Sequence, residues 1–169
     1  MRLLHKITLF AVLLTLTVSA RTAYAQGGET AHFEYLTVED GLSNSAVMFI
    51  LRDSDGLMWF GTQDGLNRYD GYEVTVFRHS DDDPHSLSNN VVMSGYAVSD
   101  GALWFGTDLG GLNKYDKNTG QFTAYTHDSD NPDSISNNSV WAISEDHSGA
   151  LWRRGVSEWK RRYYRIVRL

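Results

Sequence analysis

Two acidic loops contain residue types that can bind a metal ion. Residues 81–86 read Asp-Asp-Asp-Pro-His-Ser, and residues 128–134 read Asp-Ser-Asp-Asn-Pro-Asp-Ser. Oxygen ligands of this kind suit Ca²⁺, but a calcium-binding loop alternates its ligands and turns on a glycine, whereas Pro84 and Pro132 interrupt that spacing. Asp, Asn and Ser also hydrogen-bond to the backbone of ordinary turns. The pattern therefore favours turns over a metal site.

Two histidines and two aspartates recur along the chain without the partners that catalysis requires. His79 and His127 lie 48 residues apart, and equivalent positions of neighbouring repeats are usually too far apart to share an ion whose bonds to nitrogen are about 2 Å long. Asp53 and Asp146 recur without a basic or histidine partner. A pair of carboxylates can cleave glycosidic bonds, but no feature of the sequence selects two particular acids. We therefore predict no catalytic residue, no metal ligand and no cofactor.

Three tryptophans offer another kind of chemistry, the stacking of a sugar ring. Trp59, Trp104 and Trp152 are separated by 45 and 48 residues, and each lies three residues after a glycine. A repeated architecture requires the same large side chain in every unit, whereas a ligand does not. The spacing therefore favours a structural role in the core, one residue per repeat, over a sugar-stacking platform.

The tryptophans belong to a longer repeat. Residues 41–44, 86–90 and 134–138 are variants of one Leu-Ser-Asn motif, and residues 58–62 and 103–107 both end in Trp-Phe-Gly-Thr. The period lies in the range of propeller blades and outside that of ankyrin or tetratricopeptide repeats. Short apolar runs bounded by Gly, Asp or Asn separate these motifs, and four short strands make up a blade. We predict an all-β fold built from propeller blades of four antiparallel strands.

Glycines predict the local geometry of each unit. The Asp-Gly pairs at residues 55–56 and 100–101, and the Ser-Gly pair at 148–149, predict two-residue hairpin turns between the first two strands. The glycine of each turn is expected at positive φ, where a residue with a Cβ is strained. Gly61 and Gly106, further along the second strand, are expected to mark close approach of two backbones.

The N-terminal segment has the pattern of a secretory signal peptide. Arg2 and Lys6 precede an apolar run at residues 7–18, and residues 23–25 read Ala-Tyr-Ala. We predict a signal peptide over residues 1–25 with cleavage after Ala25. The apolar run is shorter than the roughly 20 residues that span a bilayer. The chain has no cysteine, so packing alone must hold the exported protein together.

Charge divides the remaining chain into two parts. Residues 26–152 carry five basic and 20 acidic side chains, whereas residues 153–169 carry seven basic side chains and one acidic side chain. An acidic body argues against a nucleic-acid-binding surface, which is normally basic, and a basic nucleic-acid or anionic-lipid patch on residues 153–169 is the less favoured alternative. The repeat fails after Trp152, where Arg-Arg-Gly replaces the expected Phe-Gly-Thr. We interpret residues 153–169 as an aberrant tail, frame-shifted or decayed, with residues 155–159 as a decayed third strand in the latter case.

The longest matches to a known family lie at residues 53–71 and 131–140. They resemble the repeat and the blade linker of the two-component regulator propeller family, and the resemblance covers roughly residues 33–152. In that family the repeats build seven-bladed propellers in the periplasmic sensor region of hybrid histidine kinases. The family is associated with sensing oligosaccharides. Residues 32–37 are similar to its N-terminal start, a lone outer strand that completes the last blade.

The resemblance implies an incomplete propeller within residues 26–152. Its expected parts are a lone strand at 33–37, blades at 46–78 and 91–126, and the start of a third blade at 139–152. At least four blades are needed to close a propeller. Because each repeat relies on its neighbours for apolar cover, we expect exposed blade edges and self-association.

The expected function is that of a fragment of a periplasmic, ligand-sensing propeller. The implied partners are an oligosaccharide ligand, the rest of the propeller and a sensor kinase, with no catalysis in this chain. A secreted glycan-active enzyme and a protein-interaction scaffold are the alternatives. Propeller ligands usually bind at the central mouth. The candidate ligand residues are therefore the polar ones before each first strand, although backbone capping is the favoured interpretation of them: Asn44, Asn89, Asn90, Asn137 and Asn138.

Overall fold

The computed structural model of this chain describes residues 32–155 and the backbone of residues 164–166. The chain divides into two compact units, residues 1–35 and residues 36–169. All strands described below belong to the second unit. The predicted signal peptide, with its cleavage position after Ala25, lies outside the described residues.

The described part of the chain is all-β and contains no helix, and the predicted blades of four antiparallel strands are confirmed. Each sheet is a meander in which consecutive strands pair antiparallel. The first sheet consists of β1 (Val47–Arg52), β2 (Met58–Thr62), β3 (Gly65–Tyr69) and β4 (Val74–Phe77). The second consists of β5 (Val92–Ala97), β6 (Leu103–Thr107), β7 (Leu112–Tyr115) and β8 (Phe122–Tyr125). The third consists of β9 (Val140–Glu145), β10 (Leu151–Gly155) and β11 (Tyr164–Ile166).

The lone strand predicted at residues 33–37 is not formed in this structure. A strand exists only where a second strand completes its hydrogen-bond ladder, and none of the described strands pairs with this segment. Thr37 closes a turn instead, because its carbonyl accepts hydrogen bonds from the amides of Asp40 (3.2 Å) and Leu42 (3.1 Å).

The third sheet continues beyond the predicted boundary at residue 152. Strand β10 extends to Gly155, and β11 pairs with β10 as a third strand. Gly155 pairs with Val140 of β9, so it ends the second strand of this sheet and does not begin a third. Of residues 155–159, interpreted from the sequence as a decayed third strand, only Gly155 lies among the described residues. Side-chain identity changes after Trp152, but the backbone ladder does not depend on it.

The hairpins between the first two strands are longer than predicted. In the first blade the amide of Gly56 donates to the carbonyl of Asp53 (3.1 Å), and the amide of Asp53 donates to the carbonyl of Leu57 (3.0 Å). This is a four-residue turn followed by a left-handed glycine, the usual form of a three-residue hairpin loop. The prediction of two-residue turns is wrong. The predicted positive φ of the turn glycines is confirmed, at 87°, 90° and 76° for Gly56, Gly101 and Gly149.

The blades pack face to face through aromatic side chains. Trp59 is 1% exposed, and its ring centroid lies 5.1 Å from that of Tyr115 and 5.3 Å from that of Phe105, both in the second blade. Trp104 occupies the equivalent place in a second cluster, between the second and third sheets. Aromatic pairs at these distances contribute beyond their buried area. The interfaces between blades are therefore the core of this unit.

Candidate functional site

The two ends of each blade differ in the loops that they carry. At one end, which we call the entry face, the loops that enter the first strand meet the loops between the second and third strands, because strand direction alternates in a meander. The amide of Gly65 donates to the carbonyl of Asn90 (2.7 Å), and the amide of Gly111 donates to that of Asn138 (2.7 Å). The entry loops of the second and third sheets are thus each bonded to the preceding blade.

A buried polar hub holds each entry loop in place. In the first blade, Asn67 accepts from the amide of Ser43 (2.8 Å) and donates to its hydroxyl (2.8 Å), which also lies 2.8 Å from the hydroxyl of Thr62. Asn67 and Thr62 are fully buried. A buried polar group is tolerated only when it is hydrogen-bonded. The hub recurs in the second blade with the same atoms and residue types, and its members are Ser88, Thr107 and Asn113.

The third sheet replaces this hub with an arginine. Arg153 stands at the register position of Phe105 and is 1% exposed. Its Nη2 donates to the hydroxyl of Ser136 (2.6 Å), the serine that corresponds to Ser43. Hydrogen bonds from a guanidinium are stronger than neutral ones. Arg153 thus anchors the entry loop of the third sheet, although the sequence around it departs from the repeat.

The five candidate asparagines lie at the entry face, and their side-chain oxygens bind the backbone. Asn44, Asn89 and Asn137 each accept a hydrogen bond from the amide two residues further on, at 2.7 to 2.9 Å. Asn90 and Asn138 accept from the amides of the two histidines at 2.7 and 2.6 Å. Such bonds are the capping role that short polar side chains have in turns. A role of these residues in ligand binding stays a prediction.

The acidic loops close as turns. The His79 ring Nδ1 lies 2.8 Å from the carbonyl of Leu87, and the His127 Nδ1 lies 2.8 Å from that of Ile135. In the second loop the hydroxyl of Ser134 donates to the carbonyl of Asp128 (2.9 Å). No group of three metal-ligating side chains occurs among the residues that the structure describes.

The tryptophans and glycines of the predicted structural repeat lie in the sheets. Trp59 and Trp104 are buried between blades, and Trp152 is half-buried. A Cβ added at Gly61 would collide with the Phe49 ring of the same blade, whereas one at Gly106 would collide with the backbone of the third sheet. Gly61 thus leaves room for the Phe49 side chain, whereas Gly106 leaves room for the backbone of the third sheet.

Each recurring aspartate holds a tryptophan. The indole Nε1 of Trp59 donates to the Asp53 carboxylate (2.9 Å), and that of Trp152 donates to the Asp146 carboxylate (2.7 Å). The other oxygen of each carboxylate accepts amides of its hairpin turn. The sequence analysis sought basic or histidine partners and missed these pairs. The constant spacing of six residues between aspartate and tryptophan was the signal for them.

The Asp146 pair has a pH dependence that can be measured. The ordinary pKa of an aspartate is about 3.9. The pKa of Asp146 is held well below this value, mainly by the hydrogen bond from the Ser148 hydroxyl and next by that from the Trp152 indole. The pKa of Asp146 is lower in the folded state than in the unfolded state. Its hydrogen bonds therefore stabilise the folded chain fully at pH values above the unfolded-state pKa, and this stabilisation is lost as the pH falls through the folded-state pKa.

We therefore expect the ¹³C signal of the Asp146 carboxyl to stay in its ionised position at pH 3 while the chain remains folded. The variant Asp146→Asn removes the titrating signal and is the assignment control. A titration midpoint near the ordinary value of an aspartate would contradict this prediction.

The first strand of every blade contains a bulge. In β1 the register shifts between Val47 and Phe49, in β5 it shifts between Val92 and Ser94, and β9 has the equivalent shift opposite the end of β10. A bulge re-aims one side chain and is frequent beside functional sites. The extra residues are Met48, Met93 and Trp141.

The second blade shows where the bulge residue points. Val92 belongs to the cluster between the first two blades, and the hydroxyl of Ser94 donates to the carbonyl of Val140 (3.0 Å) in the third sheet. Val92 thus faces the first blade and Ser94 faces the third sheet. Met93, which lies between them, is half-buried and belongs to neither apolar cluster. Met93 therefore faces the free edge of the first strand. Its equivalent Trp141 is 51% exposed.

The loop between the second and third strands of the second blade is hydrogen-bonded to Ser139, two residues before Trp141. The Ser139 hydroxyl donates to the Asp108 carboxylate (2.6 Å) and accepts from the amide of Leu109 (3.3 Å). Leu109 has a φ of 64° and is 73% exposed. A bulky residue in the left-handed region is uncommon and tends to occur where backbone strain is tied to function. We call Asn89, Asp108, Leu109, Ser139 and Trp141 the rim cluster.

A concave cleft lies on the second blade, at the end opposite the entry face. This cleft has a volume of about 470 Å³, and its lining includes Lys114, Lys117 and Tyr125. The two lysines already have partners: Lys114 Nζ lies 5.6 Å from the centroid of the Trp104 ring, and Lys117 Nζ lies 2.7 Å from the carboxylate of Asp55. The cleft therefore provides a weaker candidate site than the rim cluster.

Comparison with known proteins identifies the repeat. Residues 41–64 match the model of the family described as Two component regulator propeller. These residues are thus similar to one two component regulator propeller repeat. The predicted resemblance to this family is thereby confirmed.

Two solved structures resemble most of the described chain. The extracellular domain of the hybrid two component system BT3049 from B. thetaiotaomicron is 29% identical, with a TM-score of 0.66 over 72% of this chain. The extracellular domain of the one component system BT4673 from the same organism is 28% identical, with a TM-score of 0.58 over 74% of this chain. Histidine kinase P4 of Formosa agariphila is 42% identical over 55 residues.

These relatives are much longer than the two component regulator propeller segment of this chain. The chain spans 17% of the BT3049 domain, 18% of the BT4673 domain and 4% of the kinase. The propeller neighbours are extracellular domains of signalling systems. Among the residues that the structure describes, we find no helix with the length and apolar character needed to cross a membrane.

Proposed function

We propose that this chain is part of an exported, ligand-sensing propeller of a two-component signalling system that responds to an oligosaccharide. In the intact relative, the rest of the propeller completes the ring and a sensor kinase transmits the signal. The chain is exported by the N-terminal segment, which is removed after Ala25, and acts in the periplasm. It binds and does not catalyse.

The observation that carries the proposal is the set of equivalent bulges in the first strands. Three blades place a side chain at the same register position, and the side chains there are Met48, Met93 and Trp141. Residues that serve only packing are the same or similar in each repeat, as Trp59 and Trp104 are. A position that carries methionine in two blades and tryptophan in the third, on a framework that stays constant, suits recognition by a scaffold.

Two supporting features concern charge and the open faces. The acidic residues are spread over turns, where their carboxylates accept backbone amides, as Asp70 does from Tyr72 and Glu73 (2.8 and 2.9 Å). Such carboxylates are engaged in structure, which favours binding over hydrolysis. Ile50 in the first strand is 62% exposed, and we retain the expectation that copies of the chain associate through such blade faces.

Titration calorimetry of the full chain with a panel of hexasaccharides tests the proposal. Binding of at least one saccharide, with no release of shorter products on chromatography, is the expected result. Release of shorter products would replace the proposal with a glycan-active enzyme. The absence of binding across the panel would leave a protein-interaction scaffold and overturn the sensing function.

A further inference from the structure

We propose that the rim cluster is a saccharide subsite in which a neutral pyranose ring stacks on Trp141 and hydrogen-bonds to Asp108 and Asn89. This inference rests on the proposed oligosaccharide-sensing function and deepens it by naming the site and the class of sugar. The sequence analysis placed sugar stacking at the repeat tryptophans and set it aside. We assign the stacking role to Trp141, which is exposed and lies outside the repeat pattern of Trp59, Trp104 and Trp152.

Trp141 differs from the repeat tryptophans in its surroundings. Trp59 is buried among aromatic rings and its indole Nε1 is bonded to Asp53. Trp141 is half exposed, although it is a large aromatic residue within a sheet. The flat face of an exposed indole covers the apolar face of a sugar ring and keeps its polar edge in water. An exposed apolar surface on a strand beside polar groups is typical of a ligand-binding site.

Hydrogen bonds to the neighbouring blade anchor the backbone that leads into Trp141. The carbonyl of Val140, the residue before it, accepts the Ser94 hydroxyl at 3.0 Å, and Val140 is fully buried. Ser139, two residues before Trp141, is also buried and is bonded to Asp108. A side chain whose neighbours on one side are anchored loses less entropy when a ligand binds.

Polar groups for sugar hydroxyls lie on the loop that is bonded to Ser139, two residues before Trp141. Asp108 uses Oδ1 for the bond with Ser139, and no described residue donates to its Oδ2. Asn89 uses its Oδ1 for the amide of Val91 (2.9 Å), and its Nδ2 has no acceptor among the described residues. The two residues flank one loop, because a Cβ at Gly110 would lie 2.7 Å from the Asn89 Cβ. A free carboxylate oxygen and a free amide N–H form the acceptor and donor pair that a sugar hydroxyl requires.

The same groups select the charge of the sugar. Asp108 contributes a negative charge, and Arg78, in the linker between the first and second blades, is already paired, with its Nη2 3.0 Å from the carboxylate of Asp64. A uronate or sulfated sugar would meet repulsion at a site without a free cation to offset it. The subsite therefore fits neutral sugars.

Calorimetry with cellohexaose, xylohexaose, laminarihexaose, maltohexaose and hexagalacturonate tests the assignment. We expect a neutral hexasaccharide to bind, and Trp141→Ala to weaken that binding at least tenfold. Trp141→Phe retains a ring and is expected to stay within about threefold of the wild type. Asp108→Asn, which keeps the shape and removes the charge, is expected to weaken binding about tenfold.

The matched control is Tyr72→Ala, which removes an exposed aromatic ring at the opposite end of the first blade, where Tyr72 is 95% exposed. It is expected to leave binding unchanged, and thermal unfolding of each variant checks that the fold is retained. If Trp141→Ala binds a neutral saccharide like the wild type, the subsite is wrong and the sensing function stands. Binding of hexagalacturonate alone also overturns the subsite. If none of the saccharides binds, both proposals fail.

Discussion

The variant Trp59→Ala is expected to lose about 4 kcal/mol of unfolding free energy, the largest effect of any single change considered for this chain. Trp59 is 1% exposed, and its ring packs against three aromatic residues of both blades. Its removal leaves a cavity at the centre of the first interface. The loss also removes the Nε1 donor from the buried Asp53 carboxylate, whose Oδ2 then keeps only Lys117 Nζ at 3.9 Å, and the lost buried hydrogen bond adds a penalty. Domains have about 5 to 15 kcal/mol in total, so much of the fold's stability depends on this side chain.

Two further variants separate the causes. Trp59→Phe keeps a ring and removes the hydrogen bond, and is expected to cost about 2 kcal/mol. Trp152→Ala is the matched control, because Trp152 makes the same bond to Asp146 but is only half-buried, so it is also expected to cost about 2 kcal/mol. Urea unfolding followed by circular dichroism measures all three. Equal losses for Trp59→Ala and Trp152→Ala would show that burial between blades is not the cause.

Periodicity made the framework predictable. The tryptophans and the turn glycines recur with one spacing, so the sequence predicted the blades and the positive φ of Gly56, Gly101 and Gly149. The loop length was wrong because the amide of Gly56 bonds to the carbonyl of Asp53, outside the Asp-Gly pair that signalled the turn. Local composition indicates that a turn exists, whereas its length depends on which backbone groups finally pair.

The polar hubs could not be derived from local patterns. Ser43 and Asn67 are 24 residues apart, and the sequence assigns Asn67 to a strand without indicating that it is buried. Only the fold brings the entry loop of a blade onto its own third strand. The same limit applies to Arg153, which the sequence analysis assigned to an aberrant tail. In the structure this arginine is buried and bonds to Ser136, so it takes part in the third sheet.

The rim cluster was missed for a related reason. The sequence analysis chose the asparagines because they recur before each first strand, yet recurrence is what a capping role produces. Met48, Met93 and Trp141 occupy one position, which carries methionine in two blades and tryptophan in the third. A position that varies within an otherwise constant repeat was the available signal. That variation indicates a binding position only in combination with the bulge, which directs the side chain away from both neighbouring blades.

The variant Gly106→Ala is expected to destabilise the chain by about 3 kcal/mol by forcing the second and third sheets apart. A Cβ at this position would lie 2.5 Å from the carbonyl oxygen of Val140 and would also overlap the hydroxyl of Ser94. The backbone of Gly106 is not in the left-handed region, so the cost is steric and not conformational. Protein interiors are close-packed, and a backbone carbonyl cannot rotate away as a side chain can.

Gly71→Ala is the control for backbone strain without collision. Gly71 has a φ of 100°, and no atom lies within 4 Å of an added Cβ. We expect it to cost about 1 kcal/mol, the usual penalty for a residue with a Cβ in that region. Urea unfolding measures both variants, and similar losses for the two would contradict a steric cause at Gly106.

Hydrogen exchange locates the damage caused by Gly106→Ala. The amide of Gly111 bonds to Asn138 of the third sheet's entry loop, and the amide of Gly65 bonds to Asn90 of the second blade's entry loop (both 2.7 Å). If the variant separates the second and third sheets, Gly111 should lose protection while Gly65 keeps it, because local openings occur below the free energy of global unfolding. Equal loss at both amides would mean that the blades unfold as one cooperative unit. Because Ser139 and Trp141 follow that third entry loop, separation of the sheets should also weaken saccharide binding at the rim cluster.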